Sequence, residues 1–329
     1  MTARQKSGIF RAIAAAVLIA AAVLLVGQFV PFFATPANLE NVMSQAAILS
    51  VVAFGMTLVI LTGGIDLSVG GIMSLVGVTE VALVGGGLPW PAAIVAGLGV
   101  GALFGAANAV IVSRLKLPPF IATFGTLGIA AGLALYLADL VGRPILPPDL
   151  VSIGNEGLLG MPYLVFLAIG LLIVLELVWR TTSWGVHLRA TGDNQAVARL
   201  SGVPVARVLS SAYIVSGLTA ATAGSMLAAR LGTASPLQGE PFTLSAVAAC
   251  VIGGVDLFGG RGYLWAASAG AVFLVSVRNI LNLEGVQPFM QDLVTGLLII
   301  LAVLVTVQGP VLRDAISDVM RREHEGRTA

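Results

Sequence analysis

Charged residues are what this sequence has least of. Lysine, arginine, aspartate and glutamate make up 10% of its 329 residues, whereas soluble domains contain about 25%. The mean hydropathy is +1.00. A soluble core has no room for so much apolar surface, so lipid must solvate most of the chain. The net charge of +1 offers no basic surface to nucleic acid, which argues against it as a partner.

The residues on which most enzymes and metal sites depend are also scarce. One cysteine, Cys250, and two histidines are too few for an intrachain disulfide or a usual zinc site. Neither lysine, Lys6 or Lys116, follows a glycine, so the chain has no phosphate-binding P-loop. We therefore predict no catalysis, metal or cofactor in this chain. If the chain takes part in active transport, the energy must come from another subunit or from an ion gradient. Cys250 lies in an apolar run and is predicted to be a small buried residue.

What the sequence has instead is a series of long apolar runs. They predict an all-α polytopic membrane protein, a single transmembrane domain over residues 1–329 with about ten transmembrane helices, some of them broken. The predicted spans are residues 11–32, 42–62, 67–86, 90–113, 120–141, 162–179, 207–230, 242–257, 263–283 and 288–307.

The basic residues predict how the spans are oriented. If the N-terminus is inside, 14 of the 17 lysine and arginine residues are cytoplasmic, and the opposite topology reverses that count. Both termini are therefore expected inside, including the tail at 308–329. The polar stretch at residues 180–207 then becomes the largest cytoplasmic loop.

A short helix is predicted inside this loop. Asp193 is a suitable N-cap, and Gly202 followed by Pro204 marks the end. The apolar residues of one face are Ala196, Val197 and Leu200. A helix of about nine residues is too short to be stable alone in water. The membrane domain behind it, a partner in front of it, or both must therefore hold it.

Two glycine-rich segments predict turns within or near the membrane. GGIDLSVGG at 63–71 resembles GGVDLFGG at 253–260, and both are expected on the cytoplasmic side. Backbone breaks of this kind are tolerated in a membrane only against protein or water. Asp66 is expected to N-cap the span that begins at Leu67, to act in gating, or to do both. The candidate residues of the two turns are Gly63, Gly64, Asp66, Ser68, Gly70, Gly253, Gly254, Asp256, Gly259 and Gly260.

Small and polar residues within the spans predict helix contacts. Glycines at four-residue spacing let two backbones approach closely. The glycines concerned are Gly97, Gly101 and Gly105 in the fourth span, and Gly128 and Gly132 in the fifth. Glu176 is expected to pair with Arg180, and Glu80 to snorkel or to face a cavity. The side chains that suit either a hydroxylated solute or a helix–helix contact are Gln45, Thr57, Asn108, Asn279 and Asn282.

The segment ATGDNQAVARLSGV resembles the cytoplasmic coupling loop of the ribose-type permeases, the membrane subunits of bacterial ABC sugar importers. LTGGIDLSVGGIMSLVG at 61–77 and AVAACVIGGVDLFGGRG at 246–262 match the same family. The resemblance implies two permease copies around a path in the inner membrane and a periplasmic sugar-binding protein. It also implies two ATPase subunits that hold ATP and Mg²⁺. The residues it assigns to ATPase coupling are Asp193, Asn194, Gln195, Ala196, Val197, Arg199, Leu200, Ser201 and Gly202.

Two other functions stay open at this point. The branched-chain amino acid permeases share the broader fold and the loop, although the GGIDLSVG segment favours the sugar branch. A secondary transporter would need no ATPase. The absence of a chain of carboxylates across the spans counts against a proton-coupled mechanism.

Overall fold

The computed structural model describes residues 25–141 and 145–304. Its helices are α1 (Pro36–Leu61), α2 (Val69–Gly85), α3 (Trp90–Ser113), α4 (Pro119–Val141), α5 (Pro148–Asn155), α6 (Tyr163–Thr181), α7 (Ser183–Asp193), α8 (Gln195–Leu200), α9 (Val205–Leu231), α10 (Glu240–Ile252), α11 (Leu264–Leu283) and α12 (Pro288–Leu304). Strands β1 (Gly157–Leu158) and β2 (Met161–Pro162) form a small antiparallel hairpin.

The described part of the chain is a bundle of apolar helices. Six of them, α1, α3, α4, α6, α9 and α11, are long and apolar enough to cross a bilayer. Helices α2, α10 and α12 are apolar but shorter. A polytopic all-α membrane protein fits this architecture, while the number of ten spans stays a prediction. The first predicted span, 11–32, lies largely outside the described residues, and the tail at 308–329 lies wholly outside them.

Helix α1 forms the centre of the bundle. Every residue from Ala46 to Leu61 is buried, and α6, α9, α10 and α11 surround it. A helix that is apolar on all sides is stable only when protein or lipid covers every face. Outer helices such as α4 and α6 differ, since large side chains including Phe124, Ile173 and Leu177 are exposed on them. In the single chain those faces are left for lipid or another protein chain to cover.

The glycine stripe predicted in the fourth span packs closely, as expected. A Cβ on Gly101 would overlap the carbonyl oxygen of Gly217 in α9, and a Cβ on Gly217 would overlap that of Gly101. Gly105 approaches Tyr213 of α9 in the same way. Glycine therefore allows α3 and α9 to make backbone contact.

The second predicted stripe is wrong. A Cβ on Gly128 or Gly132 would meet nothing within 4 Å, so these glycines of α4 face away from the bundle. The buried face of α4 carries Ala130 and Ala134 instead. Four-residue spacing marks a helix face, but it does not decide whether protein or lipid covers that face.

Three predictions about single residues have clear outcomes. Glu80 does not snorkel, because it is buried and accepts a hydrogen bond from Ser225 Oγ. Arg180 Nε pairs with Glu176 Oε2 at 2.7 Å, as predicted. Cys250 is buried, and its Sγ lies 3.3 Å from Thr57 Oγ1 between α10 and α1.

The bundle has two ends, which we name by their helices. At the α8 end, Trp184 Nε1 of α7 donates to Ser211 Oγ near the start of α9, at 2.6 Å. At the opposite end, Asn155 Nδ2 of α5 donates to the carbonyl of Arg230 at the end of α9, at 3.0 Å. The C-terminal ends of α1, α3 and α6 lie at the α8 end.

Candidate functional site

The short helix in the long polar loop is present, but a different residue caps it. Asn194 Oδ1 accepts hydrogen bonds from the N–H groups of Ala196 at 2.9 Å and Val197 at 3.1 Å. Asp193 is the last residue of α7, so the prediction that it caps the short helix was wrong. Only Asn194 has the extended backbone that an N-cap requires, with φ −165° and ψ 109°.

The end of α8 agrees with the prediction. Gly202 has φ +82°, a left-handed conformation that favours glycine, and its N–H donates to the carbonyl of Arg199 at 3.0 Å. Ser201 follows the last helical residue, and its Oγ donates to the carbonyl of Val197. The helix is six residues long, shorter than predicted.

One side of α8 packs on the bundle and the other is uncovered. Ala198 is 3% exposed and packs against Val205 and Leu209 of α9. Val197 is 57% exposed and Leu200 is 90% exposed. The remaining exposed residues of this helix are Gln195, Ala196 and Arg199. The bundle therefore holds the helix mainly through Ala198, while the predicted apolar face is largely uncovered by the described residues.

Helix α7, which leads into α8, contacts the second glycine-rich turn and the end of α1, just before the first turn. The N–H of Gly260 in the second turn donates to the carbonyl of Leu61 at the end of α1, at 3.0 Å. A Cβ on Gly192 of α7 would overlap both of these groups. A Cβ on Gly259 would lie 3.0 Å from Gly192 O and Gly63 N. We call this three-way backbone contact the glycine junction.

Sequence reasoning did not single out Gly192. It is the second-to-last residue of α7, a position that gives no distinct local signal. Only the close approach of its backbone to the Leu61 carbonyl shows why a side chain does not fit there.

The first turn encloses a buried carboxylate. Asp66 is 0% exposed. Its Oδ1 accepts hydrogen bonds from Ser68 N at 3.0 Å and Ser68 Oγ at 2.5 Å, and its Oδ2 accepts one from Ser216 Oγ of α9 at 2.8 Å. Helix α2 begins at Val69, two residues later than predicted, with Ser68 at the N-cap position. The bond from the N–H of Ser68 to Asp66 Oδ1 is nevertheless the local capping contact expected of Asp66.

Further hydrogen bonds connect the first turn to α3 and α4. Asn108 Nδ2 of α3 donates to Ser68 Oγ at 2.8 Å, and Asn108 Oδ1 accepts from Thr126 Oγ1 of α4 at 2.7 Å. The N–H of Leu67 donates to Thr123 Oγ1 of α4 at 3.1 Å. Three helices thus hold this turn in place. Sequence reasoning did not single out Ser216, Thr123 or Thr126 as partners.

The first turn also packs tightly where α2 begins. A Cβ on Gly70 would lie 2.5 Å from the carbonyl oxygen of Gly239, just before α10. A Cβ on Gly64 would lie 2.6 Å from the Tyr213 hydroxyl. These signature glycines therefore allow close packing by the absence of a side chain.

The second turn is more open and is bonded mostly to itself. Asp256 is half-buried, and its Oδ1 accepts from the N–H of Phe258 at 3.0 Å. The N–H of Asp256 donates to the carbonyl of Arg261 at 2.9 Å. The glycines with positive φ in this turn are Gly254, Gly259, Gly260 and Gly262.

Both turns end their helices by the same backbone pattern, one residue out of register with the sequence. Gly63 N donates to Ile60 O, and Gly254 N donates to Val251 O. The φ angles of these glycines are +80° and +81°. In the structure Gly63 therefore corresponds to Gly254, although alignment of the two sequence motifs pairs it with Gly253. Asp66 and Asp256 therefore lie at different distances from the ends of the helices that precede them.

The predicted span at 242–257 also ends early, since Gly253 and Gly254 terminate α10 at Ile252.

The predicted solute-binding residues are dispersed. Thr57 donates to the carbonyl of Ala53, and Asn108 belongs to the network of Asp66. Asn279 exchanges two hydrogen bonds with Asn38, at 2.9 and 2.8 Å. Asn282 is exposed. Gln45 is exposed and borders a cleft between α1, α10 and α11. No group of three or more His, Cys, Asp and Glu side chains suited to a metal ion occurs in residues 25–141 and 145–304.

Residues 38–303, which contain the turns and α8, match the family of the branched-chain amino acid transport system / permease component. This chain belongs to that permease family. The chain is 36% identical to a probable ABC transporter permease protein y4mJ of Sinorhizobium fredii, over 92% of each chain. No solved structure matches the chain significantly.

Relatives in this family include sugar permeases. The chain is 36% identical to the ribose import permease protein RbsC of Bacillus subtilis, over 86% of this chain and 88% of the relative. It is 38% identical to the fructose import permease protein FrcC of Rhizobium meliloti, over 88% and 81%. The resemblance to ribose-type permeases, inferred from the motifs, is confirmed.

Proposed function

We propose that this chain is the permease subunit of an ATP-driven importer for a neutral sugar, a pentose, a hexose or a related polyol. Family membership supports the role of a permease, and relatives named as ribose and fructose import permeases support the solute class. The chain binds no ATP itself. A separate ATPase subunit holds ATP and Mg²⁺.

The single observation that carries the coupling role is the position of α8. Its face with Val197 and Leu200 is uncovered, while α7 before it makes the glycine junction with both turns. An ATPase that binds the uncovered face by a few apolar anchors would cover the exposed side chains of α8. Its movement would reach both turns through Gly192.

The charges of the α8 end suggest that it lies in the cytoplasm of a bacterial cell, at the inner membrane. Arg114, Arg180, Arg207 and Arg261 all belong to this end, and positive residues favour the inside. Both chain termini are then cytoplasmic. A periplasmic sugar-binding protein would bind the opposite end, and a second copy of this chain would complete the path.

A branched-chain amino acid importer is the second candidate, because the family description names that solute. Uptake by cells that express the whole importer would decide between the two. We expect radiolabelled D-ribose, D-fructose or L-arabinose to accumulate and L-leucine not to. Accumulation of L-leucine alone would overturn the sugar assignment.

The docking role of α8 is tested by two substitutions on its opposite sides. Leu200→Asp places a charge in a desolvated contact and should abolish ATPase co-purification and uptake, while permease abundance in the membrane stays normal. Ala198→Asp lies on the packed side and should lower permease abundance instead. Arg199→Ala is the control, since exposed charges contribute little.

Both abundance and bound ATPase are measured in one membrane preparation. If Leu200→Asp lowers permease abundance and leaves ATPase binding per permease unchanged, then α8 does not dock the ATPase. Exclusive loss of ATPase binding in Leu200→Asp would establish the docking face.

A further inference from the structure

A small cleft lies away from the α8 end, between α1, α10 and α11. Its volume is about 60 Å³, room for more than one water molecule or one edge of a sugar ring. Gln45 is near the start of α1, Ser245 is in the first half of α10, and Arg278 is near the end of α11. The cleft therefore belongs to the half of the bundle opposite α8.

The polar groups of the cleft have unused hydrogen-bonding capacity. Arg278 Nη2 donates to Asp292 Oδ1 at 3.0 Å and Nε donates to Thr295 Oγ1 at 3.2 Å, whereas Nη1 donates to nothing among the described residues. Gln45 Nε2 donates to Asn41 Oδ1 at 3.0 Å, whereas its Oε1 accepts from no group in the described part of the chain. A hydroxyl group both donates and accepts, so neighbouring hydroxyls match this pair of side chains.

The apolar part of the lining suits the carbon skeleton of the same ligand. Phe242 is half-buried, and Leu49 and Leu274 are buried beside it. Small-molecule sites are mostly apolar, with a few polar groups that fix orientation. The C–H face of a sugar ring can therefore lie against Phe242 while its hydroxyls reach the polar side.

The charge of the cleft favours a neutral ligand. Asp292 already pairs with Arg278, so the guanidinium is compensated. A sugar acid or an amino acid would have to compete with Asp292 for Arg278 through its carboxylate. A neutral polyol needs only the free N–H groups.

We propose that this cleft contacts one edge of a neutral polyol during its passage, with Arg278 and Gln45 as hydrogen-bonding groups and Phe242 as the apolar wall. The assignment rests on the proposed function, since it presumes that a solute passes through this chain. It adds residues, a chemical class and a position along the path.

Protection from alkylation tests the contact directly. The complete importer carries Cys250→Ser and Gln45→Cys, and cells that express it are treated with a membrane-impermeant maleimide. At least one of D-ribose, D-fructose and L-arabinose should slow alkylation several-fold, while D-glucuronate and L-leucine should not. Gln287→Cys is the matched control, an exposed amide position near the same end that does not border the cleft.

A transport measurement complements the protection experiment. Gln45→Leu should lower the maximal rate of sugar uptake about tenfold, with permease abundance and ATPase co-purification unchanged, and Gln287→Leu should match the wild type. If the wild-type importer takes up a sugar but no sugar protects residue 45 and Gln45→Leu transports normally, the cleft assignment is overturned. If the wild type takes up none of the three sugars, the proposed function itself fails.

Discussion

The two glycine-rich turns have nearly the same amino-acid sequence and lie at the same end of the bundle, but different neighbours hold them. Asp66 is fully buried and binds Ser216 of α9, while Ser68 next to it binds Asn108 of α3. Asp256 is half-buried and caps only its own turn, through the N–H of Phe258. Long-range partners, rather than the motif, therefore decide what each aspartate does.

This difference assigns separate tasks to the turns. Three helices fix the first turn, so we expect it to stay in place while other parts move. The second turn contains Gly254, Gly259 and Gly260 with positive φ, and it touches Gly192 of α7. We expect changes in the first turn to act on folding and changes near the second turn to act on coupling.

The largest difference should follow from removing the two carboxylates. Asp66→Leu leaves the buried hydroxyls of Ser68 and Ser216 without their acceptor, at a cost of about 2–5 kcal/mol. Membrane abundance and the thermal midpoint in detergent should both fall. Asp256→Leu should change them little, because Asp256 accepts only one local hydrogen bond. Equal abundance of the two variants would contradict the anchoring role of Asp66.

A smaller and more selective effect is expected at the glycine junction. Gly192→Ala forces α7 away from Leu61 and Gly260, so uptake per permease molecule should fall about tenfold, equivalent to roughly 1.4 kcal/mol. Abundance should change less than uptake. Gly128→Ala is the control, because a methyl group there meets nothing within 4 Å. Normal uptake by Gly192→Ala would show that the junction transmits no movement.

A third comparison, on thermal stability alone, tests the structural register of the two turns. Gly63→Ala and Gly254→Ala each place a Cβ at positive φ without a close neighbour, so each should cost about 1–2 kcal/mol. Gly253→Ala should differ, since its Cβ would overlap the backbone of Ala266. Thermal midpoints of the three purified variants decide the matter. If Gly63→Ala and Gly253→Ala have similar thermal midpoints and Gly254→Ala has a different one, the sequence alignment of Gly63 with Gly253 would be favoured over the structural one.

Helix positions could be predicted because lipid imposes long apolar runs. The span predicted at 90–113 coincides with α3, and α6 differs from its prediction by two residues or fewer at each end. The direction in which each helix face points was harder to predict. Gly101 and Gly128 have the same kind of spacing, but only Gly101 meets another helix among the described residues. Local spacing does not record which side of a helix meets lipid.

The parts of the site that depend on distant residues could not be predicted. The local contact of Asp66 with Ser68 follows from the sequence, whereas its second partner, Ser216, lies 150 positions away. Gly192 is similar, because only the fold brings it to Leu61 and Gly260. The end of α8 was predicted since a glycine stop is a local signal.

Cys250 has a practical consequence. It is the one thiol of the chain, buried at the contact of α10 with α1, where Thr57 covers its sulfur. Any state in which these two helices separate would expose it. The unmodified protein thus contains a natural reporter of that separation. The rate at which a small maleimide consumes the thiol, with and without ATP turnover, would time the opening of the bundle without any engineered label.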